Sequence, residues 1–166
     1  MLRPKLNNIM LYVIKKKLEI HAAHNLTLPY ESKCSRLHGH SYRAEVICAS
    51  NELNAQGMVI DYNQIKNKIE KVLDHNYLND LIKDVPNTTT EILGEWIINQ
   101  IPDIIYSVEL WESSNNCCKV YNEQHPIYKQ WGVVSLWEFL KFFIALRVKV
   151  RGLGNLVYLY ENSSAP

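Results

Sequence analysis

Two stretches of period-two alternation constrain this chain most, because each carries histidines in phase with its apolar side. From Met10 to about His24, the residues Leu18, Ile20, Ala22 and His24 share one parity, while Lys15, Lys17 and Glu19 share the other. Successive side chains of an extended chain point to opposite faces, so this is the pattern of a half-buried strand. A loop of turn formers runs from Asn25 to about Leu37. Then His38, His40, Tyr42, Ala44, Val46 and Cys48 alternate against Ser41, Arg43 and Glu45. Antiparallel pairing of two such strands would set His24 beside His38 and His40 on one face.

The remaining elements complete an α+β pattern. Asn51 to Gly57 reads as a hairpin loop and Met58-Val59-Ile60 as a short buried return strand, which predicts a three-stranded antiparallel meander. Asp61 and Gln64 have capping-box spacing, and Ile65, Ile69, Val72 and Leu73 recur at helical spacing, predicting a helix over Tyr62 to Leu73. Thr88 and Glu91 repeat the signature ahead of Ile92, Leu93, Trp96 and Ile97, predicting a second helix to about Gln100. Tyr106, Val108, Leu110 and Glu112 alternate in a further strand, which puts a carboxylate on an apolar face. Glu123 to Gly132 reads as a polar connection. Val133 to about Leu146 is apolar but interrupted by Glu138 and Lys141, too short and too charged for a membrane span. A helix docking on its own domain or on a partner subunit is expected there, with an interfacial membrane helix as the lesser alternative.

A chain of 166 residues holds one ordinary core, so a single domain over 9–121 is expected, with an extension over 122–166. Its 18 Lys+Arg against 17 Asp+Glu give no electrostatic reason to expect nucleic acid or membrane as a partner. The start Met1-Leu2-Arg3-Pro4-Lys5 lacks the layout of a secretory signal, which points to the cytoplasm. Cys34, Cys48, Cys117 and Cys118 then read as thiols.

The chemistry concentrates at the histidines. Each one singly is explained as a satisfied or exposed side chain, but an in-phase His-x-His with a third in-phase His offers three nitrogens to one ion. Three protein ligands leave a fourth position open, as in catalytic zinc sites. Cys34, four residues before His38 and flanked by Lys33 and Arg36, is a candidate fourth ligand or a reactive thiolate, and spacing does not choose between them. Asp74-His75 offers a carboxylate that could orient an imidazole, although on its own the pair reads as helix-end solvation. Glu112 is either a buried anchor for an amino-substituted heterocycle or a strand-end charge in solvent.

Taken in order, Ala22-Ala23-His24, the run Lys33 to His40, Gly57 to Tyr62, Leu73 to Asp80, Thr89-Thr90-Glu91 and Val108 to Glu112 resemble the superfamily of 6-pyruvoyltetrahydropterin and 6-carboxytetrahydropterin synthases. The three residues between Cys34 and His38, and the run Tyr77-Leu78-Asn79-Asp80, are similar to the bacterial carboxy-synthase branch. The resemblance implies a tunnelling fold (T-fold): a four-stranded antiparallel sheet with two helices on one face, assembled as a homo-oligomer, hexamer or tetramer, into a barrel with active sites between subunits. It further implies that His24, His38 and His40 hold Zn2+, that Cys34 is the catalytic thiolate, that Asp74 and His75 form a catalytic pair, and that Glu112 anchors the pterin. The implied reaction converts 7,8-dihydroneopterin triphosphate to 6-carboxytetrahydropterin with release of acetaldehyde and triphosphate, toward 7-deazaguanine nucleosides such as queuosine. Thr88 departs from the family's frequent Pro and is expected to cap the second helix. The residues from Asn122 onward inherit no role.

Overall fold

The structure is a computed structural model and describes residues 10–131. Four antiparallel strands lie side by side in chain order: β1 (Tyr12–His24), β2 (His38–Ser50), β3 (Ile105–Trp111) and β4 (Cys117–Tyr121). β1 and β2 pair without interruption from Tyr12 opposite Ser50 to His24 opposite His38. The alternating pattern fixes this register, because a slip of one residue would turn Leu18, Ile20, Ala44 and Val46 out of the core.

Between β2 and β3 the chain forms α1 (Tyr62–Lys68), α2 (Glu70–Leu73), α3 (Leu78–Leu81) and α4 (Thr90–Asn99). The side chain of Asp61 accepts the Asn63 N–H at 2.8 Å and caps α1 as its spacing predicts. The helix expected to run unbroken to Leu73 is interrupted at Ile69, whose ψ of −70° lies at the edge of helical values. The main core joins Leu18, Ile20, Tyr42, Ala44, Val46, Val108 and Leu110 of the sheet to Ile65, Ile69, Leu73, Leu93 and Ile97 of the helices. Burial of each large aliphatic side chain contributes about 1.5–3 kcal/mol. Gly94 lets α4 approach the sheet, since a Cβ there would meet Val120 Cγ2 at 2.7 Å.

Several expectations change. Met58-Val59-Ile60 is not a strand. Asn54 gathers its backbone groups locally: Asn54 N donates to Met58 O at 2.8 Å, while Met58 N donates to Asn54 Oδ1 at 3.0 Å. Gly57, at φ +77°, closes this turn. The fourth strand is instead β4. Tyr106 leaves the face of Val108 and Leu110, because a bulge pairs Ile47 with Ser107 but Cys48 with Ile105. Tyr106 therefore packs with Ala49 and Ile127 on the opposite face. The polar connection expected after Glu123 contains α5 (Pro126–Trp131), whose Ile127 covers that second face. The apolar helix expected over 133–146 lies outside the described residues.

One edge of β1 is covered by the segment after α2. His75 N donates to His21 O at 2.6 Å and Ala23 N to Asn76 O at 3.0 Å, with a parallel bridge between Ala23 and Tyr77. This short pairing decides where Asp74 and His75 sit.

Candidate metal centre

His24 ends β1 and His38 opens β2 directly opposite it, with His40 next on the same face. Their ring centroids stand 4.5 Å (His24–His38), 5.2 Å (His24–His40) and 5.0 Å (His38–His40) apart. One nitrogen from each ring lies within 4.8 Å of the other two. Among the described residues this is the group of His, Cys, Asp and Glu donors that converges closely enough to hold a metal ion. Gly39 helps the strands close here, as a Cβ would stand 3.2 Å from Ala22 O.

The outer nitrogens are oriented by carbonyls. His24 Nδ1 lies 2.9 Å from Thr88 O, and His38 Nδ1 lies 2.7 Å from Arg36 O. A carbonyl only accepts, so both rings carry a proton on Nδ1 and, as neutral imidazoles, would offer Nε2 to a metal, the arrangement of metal-ligating histidines. Burial lowers the pKa of His24, and His38 and His40 push the same way against the Thr88 carbonyl, so its neutral form is favoured. His40 Nε2 is buried without a hydrogen bond. It stands 3.1 Å from Glu112 Oε1, an ion-pair distance whose angle falls outside hydrogen-bond geometry. An unsatisfied buried nitrogen converging with those of two further imidazoles is what a cation of the zinc type would complete, and the donor set fits it.

Glu112 follows β3 on the face of Val108 and Leu110, where its parity predicts it, and stands beside His40. Tyr42, two residues beyond His40, places its hydroxyl 3.4 Å from His24 Nε2, and burial then Glu112 raises its pKa. Its parity with His38 and His40 was the signal that could have placed it. Cys34 sits half-buried in a short 3-10 turn, Lys33–Ser35. Its N–H donates to Ser32 Oγ at 3.1 Å, and its carbonyl accepts Leu26 N at 2.9 Å, which ties the turn to the chain just past His24. Cys34 is not a member of the convergent donor group.

Asp74 and His75 form a pair, but elsewhere. His75 Nδ1 lies 2.8 Å from Asp74 Oδ2, and His21 N donates to Asp74 Oδ1 at 2.8 Å. The His21 N–H is the first cause, ahead of His75, that holds the Asp74 carboxyl below its usual range. The His75 ring stands edge-on to His21 at 5.9 Å, and His21 Nδ1 meets Ser41 Oγ at 3.0 Å. His21 and Ser41 have the opposite parity to His24, His38 and His40, so within one chain the pair faces the other side of the sheet. His75 is held at φ 58°, a left-handed backbone that costs a non-glycine residue strain.

Thr88 is the residue whose placement differs most from its sequence reading. Thr89 takes the N-cap position of α4, and Thr88 is buried behind His24. A capping signature that begins with three consecutive threonines is ambiguous by one residue, and the buried contact has no local pattern.

An antiparallel sheet covered on one face by helices, with three histidines placed closely enough to hold a metal ion at the open end of its first two strands, defines the class of protein. A sequence model of the 6-pyruvoyl tetrahydropterin synthase family matches residues 13–123, and the chain belongs to that family. A Synechocystis protein named 6-carboxy-5,6,7,8-tetrahydropterin synthase is 32% identical over 124 residues, covering 68% of this chain and 95% of that one. A Pyrococcus horikoshii protein named putative 6-carboxy-5,6,7,8-tetrahydropterin synthase is 33% identical over 148 residues, covering 67% and 93%. The solved 6-pyruvoyl tetrahydropterin synthase of Caenorhabditis elegans superposes with a TM-score of 0.56 at 21% identity, covering 68% of this chain and 96% of that chain. The fold is thus the T-fold. Among the described residues no helix is long and apolar enough to cross a membrane.

Proposed function

We propose that this protein is a zinc-dependent 6-carboxy-5,6,7,8-tetrahydropterin synthase, converting 7,8-dihydroneopterin triphosphate and one water to 6-carboxytetrahydropterin with release of acetaldehyde and triphosphate. The observation that carries the reading is the convergence of three imidazoles beside one carboxylate, on a chain similar over most of its relatives' length to proteins of that name. Its place would be in 7-deazaguanine (queuosine) biosynthesis. Cysteines present as free thiols are in keeping with the reducing cytoplasm.

His24, His38 and His40 would hold the ion. Zinc there supplies Lewis acidity toward the side-chain hydroxyls of the substrate. Glu112 would accept hydrogen bonds from the amino edge of the pterin and fix the side chain over the histidines. Cys34, as thiolate, would take a proton from the side chain, and His75, held in its tautomer by Asp74, would return one. Asp74-His75 faces away from the histidine cluster of its own chain, which supports a homo-oligomer in which each site draws this pair from a neighbouring copy.

Product analysis tests the reading. Incubated with zinc and 7,8-dihydroneopterin triphosphate, the protein should release acetaldehyde in step with triphosphate. Triphosphate release that leaves all side-chain carbons on the pterin would identify a 6-pyruvoyl tetrahydropterin synthase. Zinc binding with no turnover would leave a non-catalytic zinc module.

A further inference from the structure

The nitrogen that His24 turns toward the cluster is set by a chain of hydrogen bonds that reaches well behind the ring. Two oxygens of Thr88 approach His24 Nδ1, the carbonyl at 2.9 Å and Oγ1 at 3.3 Å. The Thr88 hydroxyl has a single proton and donates it to Asn79 Oδ1 at 3.3 Å. Oγ1 therefore meets the imidazole with a lone pair, as the carbonyl does. With two acceptors against it, Nδ1 must carry a ring proton, and Nε2 is the nitrogen left on the side of His38, His40 and the Tyr42 hydroxyl.

Asn79 is itself fixed. Its Oδ1 accepts Asn25 N at 3.1 Å and its Nδ2 donates to Asn25 O at 3.0 Å. Turning the amide over would set its NH2 group against both the Asn25 N–H and the Thr88 proton, so only one orientation satisfies the network. The Tyr77 hydroxyl donates to Asn25 Oδ1 and secures the far end. The chain joins the residue just after β1, the start of α3 and the residue before the α4 cap. Its end point, His24, is 2% exposed, so water does not offer the ring an alternative partner.

We propose that Asn79, acting through the Thr88 hydroxyl, is a positioning residue that holds the Thr88 segment and its carbonyl against His24 Nδ1, locks the ring in place and so sets the affinity of the three-histidine site for a divalent cation of the zinc type. The proposal rests on the reading that these histidines bind metal. Loss of an outer hydrogen bond of this kind costs metal sites about 10- to 100-fold in affinity.

The test uses the full chain and two metal probes: zinc, by competition with a chromophoric chelator, and cobalt(II), by its visible absorption spectrum. Thr88→Val keeps the shape and removes the hydroxyl, Asn79→Leu removes the clamp, and Thr88→Ser restores the hydroxyl. Both apolar variants should bind zinc about tenfold or more weakly with an altered cobalt spectrum, while Thr88→Ser stays within about twofold of the parent. Melting of the metal-free proteins identifies folded variants, and if Asn79→Leu does not fold, Thr88→Val decides. Parent-like zinc affinity and cobalt spectrum in the folded apolar variants overturn the lock while leaving the metal site standing. A parent protein that binds zinc no better than His38→Ala overturns the metal site, and the lock with it.

Discussion

Glu112 stands beside His40, whereas Cys34 sits in the turn tied to the chain just past His24, and single substitutions separate their proposed roles. Cys34 lies outside the group of convergent donors, so Cys34→Ala should keep its zinc, measured by elemental analysis after dialysis, while turnover falls by orders of magnitude. Loss of the metal along with turnover would make the thiol a ligand and remove it from proton transfer. Glu112→Gln removes the charge that would receive the pterin amino edge, and binding of a non-reacting pterin should weaken on the order of tenfold. Unchanged affinity would take Glu112 out of the site. At this scale the sequence was informative where parity governs: His24, His38, His40 and Glu112 project where alternation on their strands places them. It was silent on Thr88, Asn79 and Asn25, whose contacts with His24 or with each other span 9 to 64 positions and depend on how the helices close over the strand end. Nothing local in the sequence encodes such separations.

At the scale of elements, α5 is the piece that pattern reading passed over, and its cap gives it a pH-sensitive start. Ile127 N donates to His125 Nδ1 at 3.1 Å, so the imidazole serves as the N-cap of a helix with Pro126 at its first position. Accepting this bond requires a bare Nδ1. Burial lowers the pKa of His125 from 6.5, against the opposing pull of the Ile104 and Ala49 carbonyls. The unfolded chain therefore takes up a proton at a pH where the folded one does not. This contribution to stability is complete above about pH 6.5 and is lost as pH falls toward the lowered folded value. His125→Asn keeps a capping oxygen without a titrating group, so its melting temperature should fall less steeply than the parent's between about pH 7.5 and 5.5. Equal slopes would show that His125 does not carry this dependence. A six-residue helix opened by Pro and followed by Gly132 offers too short a period to detect, just as Asn54 hides the absence of a strand at Met58-Val59-Ile60 by satisfying that backbone from the side. The long β1–β2 hairpin and α4, in contrast, follow directly from their spacing.

For the whole molecule, the decisive fact is that the two halves of the proposed chemistry face apart within one chain. The histidine cluster, with Glu112, lies on the helix-covered side of the sheet, whereas the His75 ring packs against His21 on the other. The pairing of Asp74 to Tyr77 along the β1 edge fixes this, since His75 is anchored through its own N–H to His21 O and through Asp74 to His21 N. On the proposed chemistry, proton return from His75 to a substrate over the histidines would therefore come from a second copy of the chain. The consequence is complementation. Cys34→Ala and His75→Ala should each be inactive as separate assemblies. Co-expressed and mixed at random, they place an intact Cys34 of one copy beside an intact His75 of another at about a quarter of the sites, because each group is intact in half of the copies. Acetaldehyde release should recover to about that fraction of the parent rate. A site contained within one chain gives no recovery at all, since every chain in the mixture lacks one of the two groups. The measurement therefore separates a shared site from a self-contained one without reference to the size of the oligomer.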